Sequence, residues 1–250
     1  MATAAAAYAD RPLWRPWHSV GLGLILVAIS VIGISLPRSG GGLGFLGQRT
    51  VLAWLAIATL MAAFAALAGH GLTGLARGVL IDDRHRVSLS RLQMLVWTVL
   101  VLSAYLAAGL ANIGRNAVAP LSVDIPSELW LAMGISTASL VGAPVALAYK
   151  ERRQGATLEE LPHERDSRFA DLFRGEEEGD KAHVDLGKVQ MLLLTVVVVL
   201  GYGLALGDMF EGTTGSFTTL PAVDEAVVTL LAISHAGYLT KKALVTAPDA

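Results

Sequence analysis

LARGVLIDDRHRVSLSRLQMLVWTVLVLSAYLAAGL, residues 75–110, decides the fold, because its pattern returns 97 positions later as LFRGEEEGDKAHVDLGKVQMLLLTVVVVLGYGLALG, residues 172–207. Leu75, Arg77 and Gly78 recur as Leu172, Arg174 and Gly175. Asp83-Arg84 recurs as Asp180-Lys181, and Val87, Leu89 and Arg91 as Val184, Leu186 and Lys188. Gln93-Met94-Leu95 returns as Gln190-Met191-Leu192, Thr98-Val99 as Thr195-Val196, and Tyr105 as Tyr202. Each copy begins polar and then runs apolar for about 20 residues, the length a bilayer demands. The expected fold is an all-α integral membrane protein with a duplicated two-helix unit.

Composition agrees with that reading. The chain has 250 residues, 54% hydrophobic and 16% charged, where a soluble domain carries roughly a quarter charged. Apolar runs alternate with polar stretches that hold nearly all the charge. A net charge of −2 gives no support to nucleic-acid binding, and the absence of cysteine excludes disulfides, thiolate metal sites and thiol nucleophiles. The Ala, Gly, Val, Leu and Arg usage points to a bacterial inner membrane.

Six transmembrane helices are the simplest count: about Trp17–Leu36, Val51–Gly69, Leu92–Ala111, Glu128–Tyr149, Val189–Gly207 and Val223–Thr240. The first is too long for a secretory signal and is followed by no small-x-small pattern, so an uncleaved anchor is expected. With the N-terminus inside, sixteen Lys and Arg fall in inner segments, and only Arg38, Arg49 and Arg115 fall outside. The positive-inside rule then makes both termini cytoplasmic. Trp14 and Trp17 at the inner face, with Trp54 and Trp130 at the outer, fit an aromatic belt. Both copies cross outward and return, so helices 3-4 and 5-6 are expected to be related by a pseudo-twofold axis along the membrane normal. The divisions are residues 1–70, a two-helix anchor; 71–149, the first copy; 150–171, a polar linker; and 172–250, the second copy. Residues 37–48, rich in glycine, read as an outer loop. In the linker, Phe169, Leu172 and Phe173 share one helical face and predict a short amphipathic helix stopped by Gly175.

The repeated polar residues are the first functional candidates. Ser90 and Gln93 have capping-box spacing at the start of the third span, and Asp185 is placed to cap the fifth. Gln93 and Gln190 either terminate helices at the membrane surface or face each other across the pseudo-axis as a polar constriction. Arg77 and Arg174, with Asp83 and Asp180, form either a basic collar with local carboxylate partners or paired anion pockets. Residues 79–81 and 87–89 are candidates for a small hairpin. Gly134, Ala138 and Gly142, matched by Ala232, Ala236 and Thr240, and Gly203 with Gly207, are small-residue stripes that let backbones approach within or between subunits.

His235 is the one ionisable residue well inside a span, and such a group is a functional hypothesis by default. Its range of titration suits a proton relay or a pH gate, while the plainer alternative is a neutral ring bonded to a neighbouring helix. Thr137 occupies the matching place in the first copy. Asp124, Glu128, Asp208, Glu211, Asp224 and Glu225 make an acidic outer mouth, which concentrates cations or simply solvates loops emptied of Lys and Arg. There is no phosphate loop, dinucleotide fingerprint or zinc motif, so no cofactor, metal or catalytic residue is expected.

The function expected from these features is a small oligomeric channel or permease, for cations, with a path lined by helices 4 and 6. Ser136, Thr137, Ser139, Ser234 and His235 are its pathway residues. The partners expected are the lipid bilayer and further copies of the chain. The alternative is a membrane scaffold or sensor recruiting a soluble partner through residues 150–188.

Overall fold

The computed structural model describes residues 14–38, 43–155, 157–213 and 215–243. Among them lie six α-helices: α1 Pro16–Arg38, α2 Leu43–Thr73, α3 Leu89–Gly114, α4 Ser127–Gln154, α5 Leu186–Gly212 and α6 Glu225–Ala243. The first five are long and apolar enough to cross a bilayer. Helix α6 has 19 residues, starts on Glu225 and ends with Lys241 and Lys242, and it falls short of the same apolarity. The protein is therefore all-helical and suited to a membrane.

Contacts between side chains fix the helix directions. His18, early in α1, lies 3.0 Å from His70, late in α2, so these two helices form an antiparallel pair. Gln93 near the start of α3 bonds Thr195 of α5, while Asn112 near the end of α3 bonds Phe217 just beyond α5. Helices α3 and α5 thus run side by side in one direction. Ser139 meets His235, and one turn on Gly142 faces Leu239, so α4 and α6 are likewise parallel neighbours.

Helix α3 is central. Its buried face reads Trp97, Val101, Ala104, Ala108 and Ala111, a stripe at the helical period that meets Trp54 and Ile57 of α2 and Leu206 and Phe210 of α5. The alanines let neighbouring backbones come close, as packing in lipid requires when burial of apolar surface supplies no drive of its own. Trp54 donates to Ser103 at 3.1 Å and packs on Phe210. It is 5% exposed, so it is a core residue and not the belt residue its position suggested, whereas Trp130 stays 54% exposed.

At one end of the bundle the segments before α4 and α6 are pinned to the end of α3. The Asn112 amide donates to Phe217 O at 2.8 Å and to Pro120 O at 3.1 Å, and it accepts from Phe217 N at 2.8 Å. Arg115 donates to the carbonyls of Gly215 and Thr213 and lies over the Phe217 ring. Asp124 and Thr219 join in a parallel bridge.

At the other end, two tight turns lead into α3 and α5. Ile81 pairs with Val87 as the candidate hairpin requires, and Arg174 pairs with Val184. The Asp82 carboxylate accepts from the amides of Arg84 and Arg86, closing the first turn. In the second, a Cβ on Gly175 would stand 2.1 Å from the Asp180 carboxylate, so only glycine fits there.

Several expectations need correction. The N-cap of α3 is Ser88, which accepts from Arg91 N, and not Ser90; Gln93 does not reach back. Asp185 does cap α5, accepting from Gly187 N and Lys188 N. The expected amphipathic helix is a 3-10 turn, Phe169–Leu172, because Asp171 bends back to accept from Arg168 N. Of its apolar face only Leu172 is buried. Most of the expected 37–48 loop is helical, α1 reaching Arg38 and α2 starting at Leu43; residues 39–42 lie outside the described residues.

The Asn112 clasp carries a definite expectation. Asn112→Ala strips partners from buried backbone groups, which costs about 1–3 kcal/mol. Thermal unfolding of the purified protein in detergent measures it, and a loss under about 0.5 kcal/mol, the size of a neutral surface change, contradicts the clasp.

Candidate functional site

Two polar clusters join side chains from three or more elements of the bundle. The first lies between the helices and takes one residue from each of α3, α4, α5 and α6. Gln93 Nε2 donates to Thr195 Oγ1 at 2.6 Å and approaches His235 Nε2 at 3.4 Å. His235 Nδ1 meets Ser139 Oγ at 2.5 Å, and Thr195 Oγ1 donates to Met191 O at 2.8 Å. All four residues are buried, Gln93 and Ser139 completely. A neutral imidazole that accepts from Gln93 carries its proton on Nδ1 and donates it to Ser139. Gln93 Oε1 has no hydrogen-bond partner. A buried carbonyl oxygen left so is costly, and it gives the cluster a free acceptor for a proton donor or a cation.

Each member stands where local helix geometry puts it. Gln93 lies four residues before Trp97, on the same core-facing stripe of α3. Ser139 and His235 face each other because α4 and α6 run parallel and in register there.

The sequence-derived candidates divide sharply. Ser139, His235 and Gln93 come together. Ser136 is buried one turn away but spends its hydroxyl on Ala132 O, and Thr137 is exposed and bonds Met133 O. Ser234 is buried beside His235. Gln190 is exposed, so no pair of facing glutamines exists: the two copies present this residue to different surroundings. Thr195, the fourth member, was visible only as a repeated residue matching Thr98; nothing in the sequence signalled that it meets Gln93.

The second cluster gathers at the end of the bundle that carries residues 157–185. Glu176 accepts ion pairs from Arg84 at 2.6 Å, Lys188 at 2.8 Å and Lys242 at 2.8 Å. These come from the turn before α3, the first turn of α5 and the last turn of α6. Lys188 also donates to Asp171 O, and Asp171 accepts from Val87 N. Arg86 pairs with Glu159 at 3.0 Å, Lys150 at the end of α4 with Glu177, and Lys241 with Asp185 at 2.8 Å. Burial by itself raises the Glu176 carboxyl, but Lys242, Lys188 and Arg84 outweigh it and hold the group well below the ordinary carboxylate range.

Of the two alternatives for Arg77, Arg174, Asp83 and Asp180, the paired anion pockets find no support in the hydrogen bonds of these residues. Arg77 is spent on Ser167 and the Arg165 carbonyl, and Arg174 on the Lys181 carbonyl. Asp180 accepts from Glu177 N, and Asp83 points outward with a long 3.5 Å contact to Arg91. The basic residues at this end take local carboxylate partners, Asp82 for Arg84 and Asp83 for Arg91, and the Glu176 carboxylate is drawn in besides from a distant part of the chain.

Among the described residues no group of three or more His, Asp or Glu is placed to hold a metal ion. Comparison with protein-family models, curated proteins and solved structures finds no match to this chain.

Glu176→Gln leaves three cations around a neutral amide. Removing one partner from a buried ion pair costs about 3–5 kcal/mol, read as a lower melting temperature in detergent. Because the folded pKa lies below the ordinary value of 4.5, the stabilising contribution is complete above that pH and is lost as pH falls through the folded value. The melting gap between wild type and Glu176→Gln is therefore constant from about pH 4.5 up to the range near pH 8 where Lys242, pushed down by burial, loses its charge, and it closes on acidification below 4.5; a gap that widens on acidification contradicts the assignment.

Proposed function

We propose that the protein is a small membrane transport protein of the channel or permease type, passing a cation through the interior of α3–α6. The observation that carries this reading is the buried quartet of Gln93, Ser139, Thr195 and His235. Polar and ionisable groups inside a membrane bundle are expensive, and they gather where a substrate or proton passes. Neutral oxygens such as Gln93 Oε1, Thr195 Oγ1 and Ser139 Oγ are the ligands that replace a cation's water shell. The quartet is closed by its own hydrogen bonds, so opening requires α4 and α6 to separate from α3 and α5. The exposed carboxylates of Asp124, Asp208, Glu211, Asp224 and Glu225 supply an acidic approach.

In this reading the chain spans the bacterial inner membrane six times, with α6 as the sixth span and both termini cytoplasmic. The lower apolarity of α6 comes from Ser234 and His235 in its middle and Lys241 and Lys242 in its last turn. Two features support two homologous helical hairpins related by a pseudo-twofold axis along the membrane normal. Helices α3 and α5 start at Leu89 and Leu186, the same 97-residue offset as the sequence repeat, and α3 with α5 and α4 with α6 run parallel. The small-residue stripes support self-association: Gly134, Ala138 and Ala236 are exposed, and Gly203 and Gly207 face open space.

A second reading, a scaffold or sensor for a soluble partner, draws on a separate observation. Residues 157–185 are clipped to the helix ends through Glu176 and leave Phe169 60% exposed.

Potassium and proton flux into liposomes containing the purified protein tests the transport reading. Flux should fall at least about tenfold in Gln93→Leu and in His235→Leu, the loss of one charge-directing contact. Flux absent from wild type, or unchanged in both variants, defeats it. Partner capture that is lost in Phe169→Asp then favours the scaffold. Reporter fusions at residues 14 and 243 should fall on the same side of the membrane, and opposite sides overturn the six-span topology.

A further inference from the structure

At the end of the bundle that carries residues 157–185, α3 and α4 leave a cavity of about 710 Å³ between them. That volume is within the range of about 300–1,000 Å³ typical of sites for small organic ligands. It is independent of the Gln93 quartet, because Gln93 and Ser139 point into the bundle while Met94, Leu95 and Leu140 beside them line the cavity.

The lining is divided by polarity. Toward the middle of the helices the walls are hydrocarbon: Met94, Leu95, Leu140, Pro144 and Leu147. Toward the helix ends the rim holds Arg84, Arg91 and the first turn of α3, capped by Ser88. Met94 of the lining is itself 38% exposed, and Val141 and Val145, next to the lining residues Leu140 and Pro144 on α4, are exposed too, so the flank beside the cavity is apolar. A ligand there has a chain on the hydrocarbon side and a charged head at the helix ends, and it arrives from the bilayer.

The rim charges specify the head. Asp82 is occupied by the Arg84 and Arg86 amides, and Lys242 by Glu176, so neither is free to bind a ligand. Arg84 also pairs with Glu176 and Asp82 through Nη2, but its Nη1, shielded from solvent, has no hydrogen-bond partner. Arg91 is held only by its 3.5 Å contact to Asp83, a carboxylate whose side chain is 97% exposed. Arg91 and Arg84 make this part of the rim basic beside the start of α3, the combination of charge and helix dipole that favours a phosphate group. Farther out, the carboxylates of Asp83 and Glu151 stand on the same rim, where a cation beyond the phosphate would meet them.

We propose that the cavity between α3 and α4 is a binding site for a zwitterionic phospholipid of the bilayer. Its phosphate lies on Arg84, Arg91 and the start of α3, its ammonium lies toward Asp83 and Glu151, and one acyl chain lies along Met94, Leu140 and Leu147. The site holds the lipid at the junction of α3, α4 and the turn that carries Arg84.

Native mass spectrometry of the full chain in detergent tests this with three probes. These are dioleoyl phosphatidylethanolamine, dioleoylglycerol with the same chains and no phosphate, and glycerophosphoethanolamine with the head and no chains. One phosphatidylethanolamine should be retained per chain, and at least about tenfold more tightly than either fragment, the worth of a charge-assisted hydrogen bond or a buried chain. Arg91→Glu, a change at a half-exposed side chain, should weaken retention by at least a similar factor. Ala148→Trp, which fills the cavity without touching a charge, should abolish it. Equal retention of dioleoylglycerol means unselective lipid adhesion and overturns the proposal. Equal retention of glycerophosphoethanolamine means a soluble-phosphate site and also overturns it. So does undiminished retention by Arg91→Glu, which stands as a test even if Ala148→Trp fails to fold.

Discussion

The Glu176 carboxylate, set among Arg84, Lys188 and Lys242, is the interaction on which the arrangement of the bundle rests. One acid from the middle of the polar segment joins the turn that starts α3, the first turn of α5 and the last turn of α6. In lipid, helices gain little from burying apolar surface against each other, so their register depends on packing shape and on polar contacts at their ends. Three cations converging on one site would repel one another without the carboxylate, and the carboxylate would resist burial without the cations. The cluster is satisfied only when all three elements are present together, which makes it a device for specifying one arrangement.

The quartet inside the bundle depends on that arrangement. Gln93 meets Thr195 only if α3 and α5 run in parallel at one register, and Ser139 meets His235 only if α4 and α6 do so too. The register is set from both ends: by Glu176 with Lys150, Glu177 and Asp185 at one, and by Asn112 and Arg115 at the other. The same geometry leaves the amphipathic cavity between α3 and α4, with Pro144 in its wall. Quartet and cavity thus depend on contacts made at the helix ends, where the charges lie outside the apolar middle of the helices.

Helices were legible wherever apolarity ran long. The spans starting near Val51, Leu92, Glu128 and Val189 became α2 to α5 with only their ends displaced, since a stretch of about 20 apolar residues has few other ways to satisfy its backbone in lipid. The ends moved because caps are chosen by local hydrogen bonds: Ser88 and not Ser90 took the first amide of α3. The candidate site was half legible. His235 announced itself as an ionisable residue among apolar ones, and Ser139 as a hydroxyl in a small-residue helix. Thr195 and the free acceptor of Gln93 carried no such mark, because periodicity reports which residues share a helix face and not which faces meet.

The sequence by itself determined the helices, the polar segment between them, the caps at Asp185 and the repeated residues at a 97-position offset, because these follow from short-range geometry and hydropathy. Tertiary structure alone decided that Gln93 is buried while its repeat partner Gln190 is exposed, that Trp54 turns inward, and that Glu176 leaves its acidic run to bind three cations. The physical reason is that pairing and burial depend on what stands opposite a side chain, and for these residues the opposite group comes from a distant part of the chain.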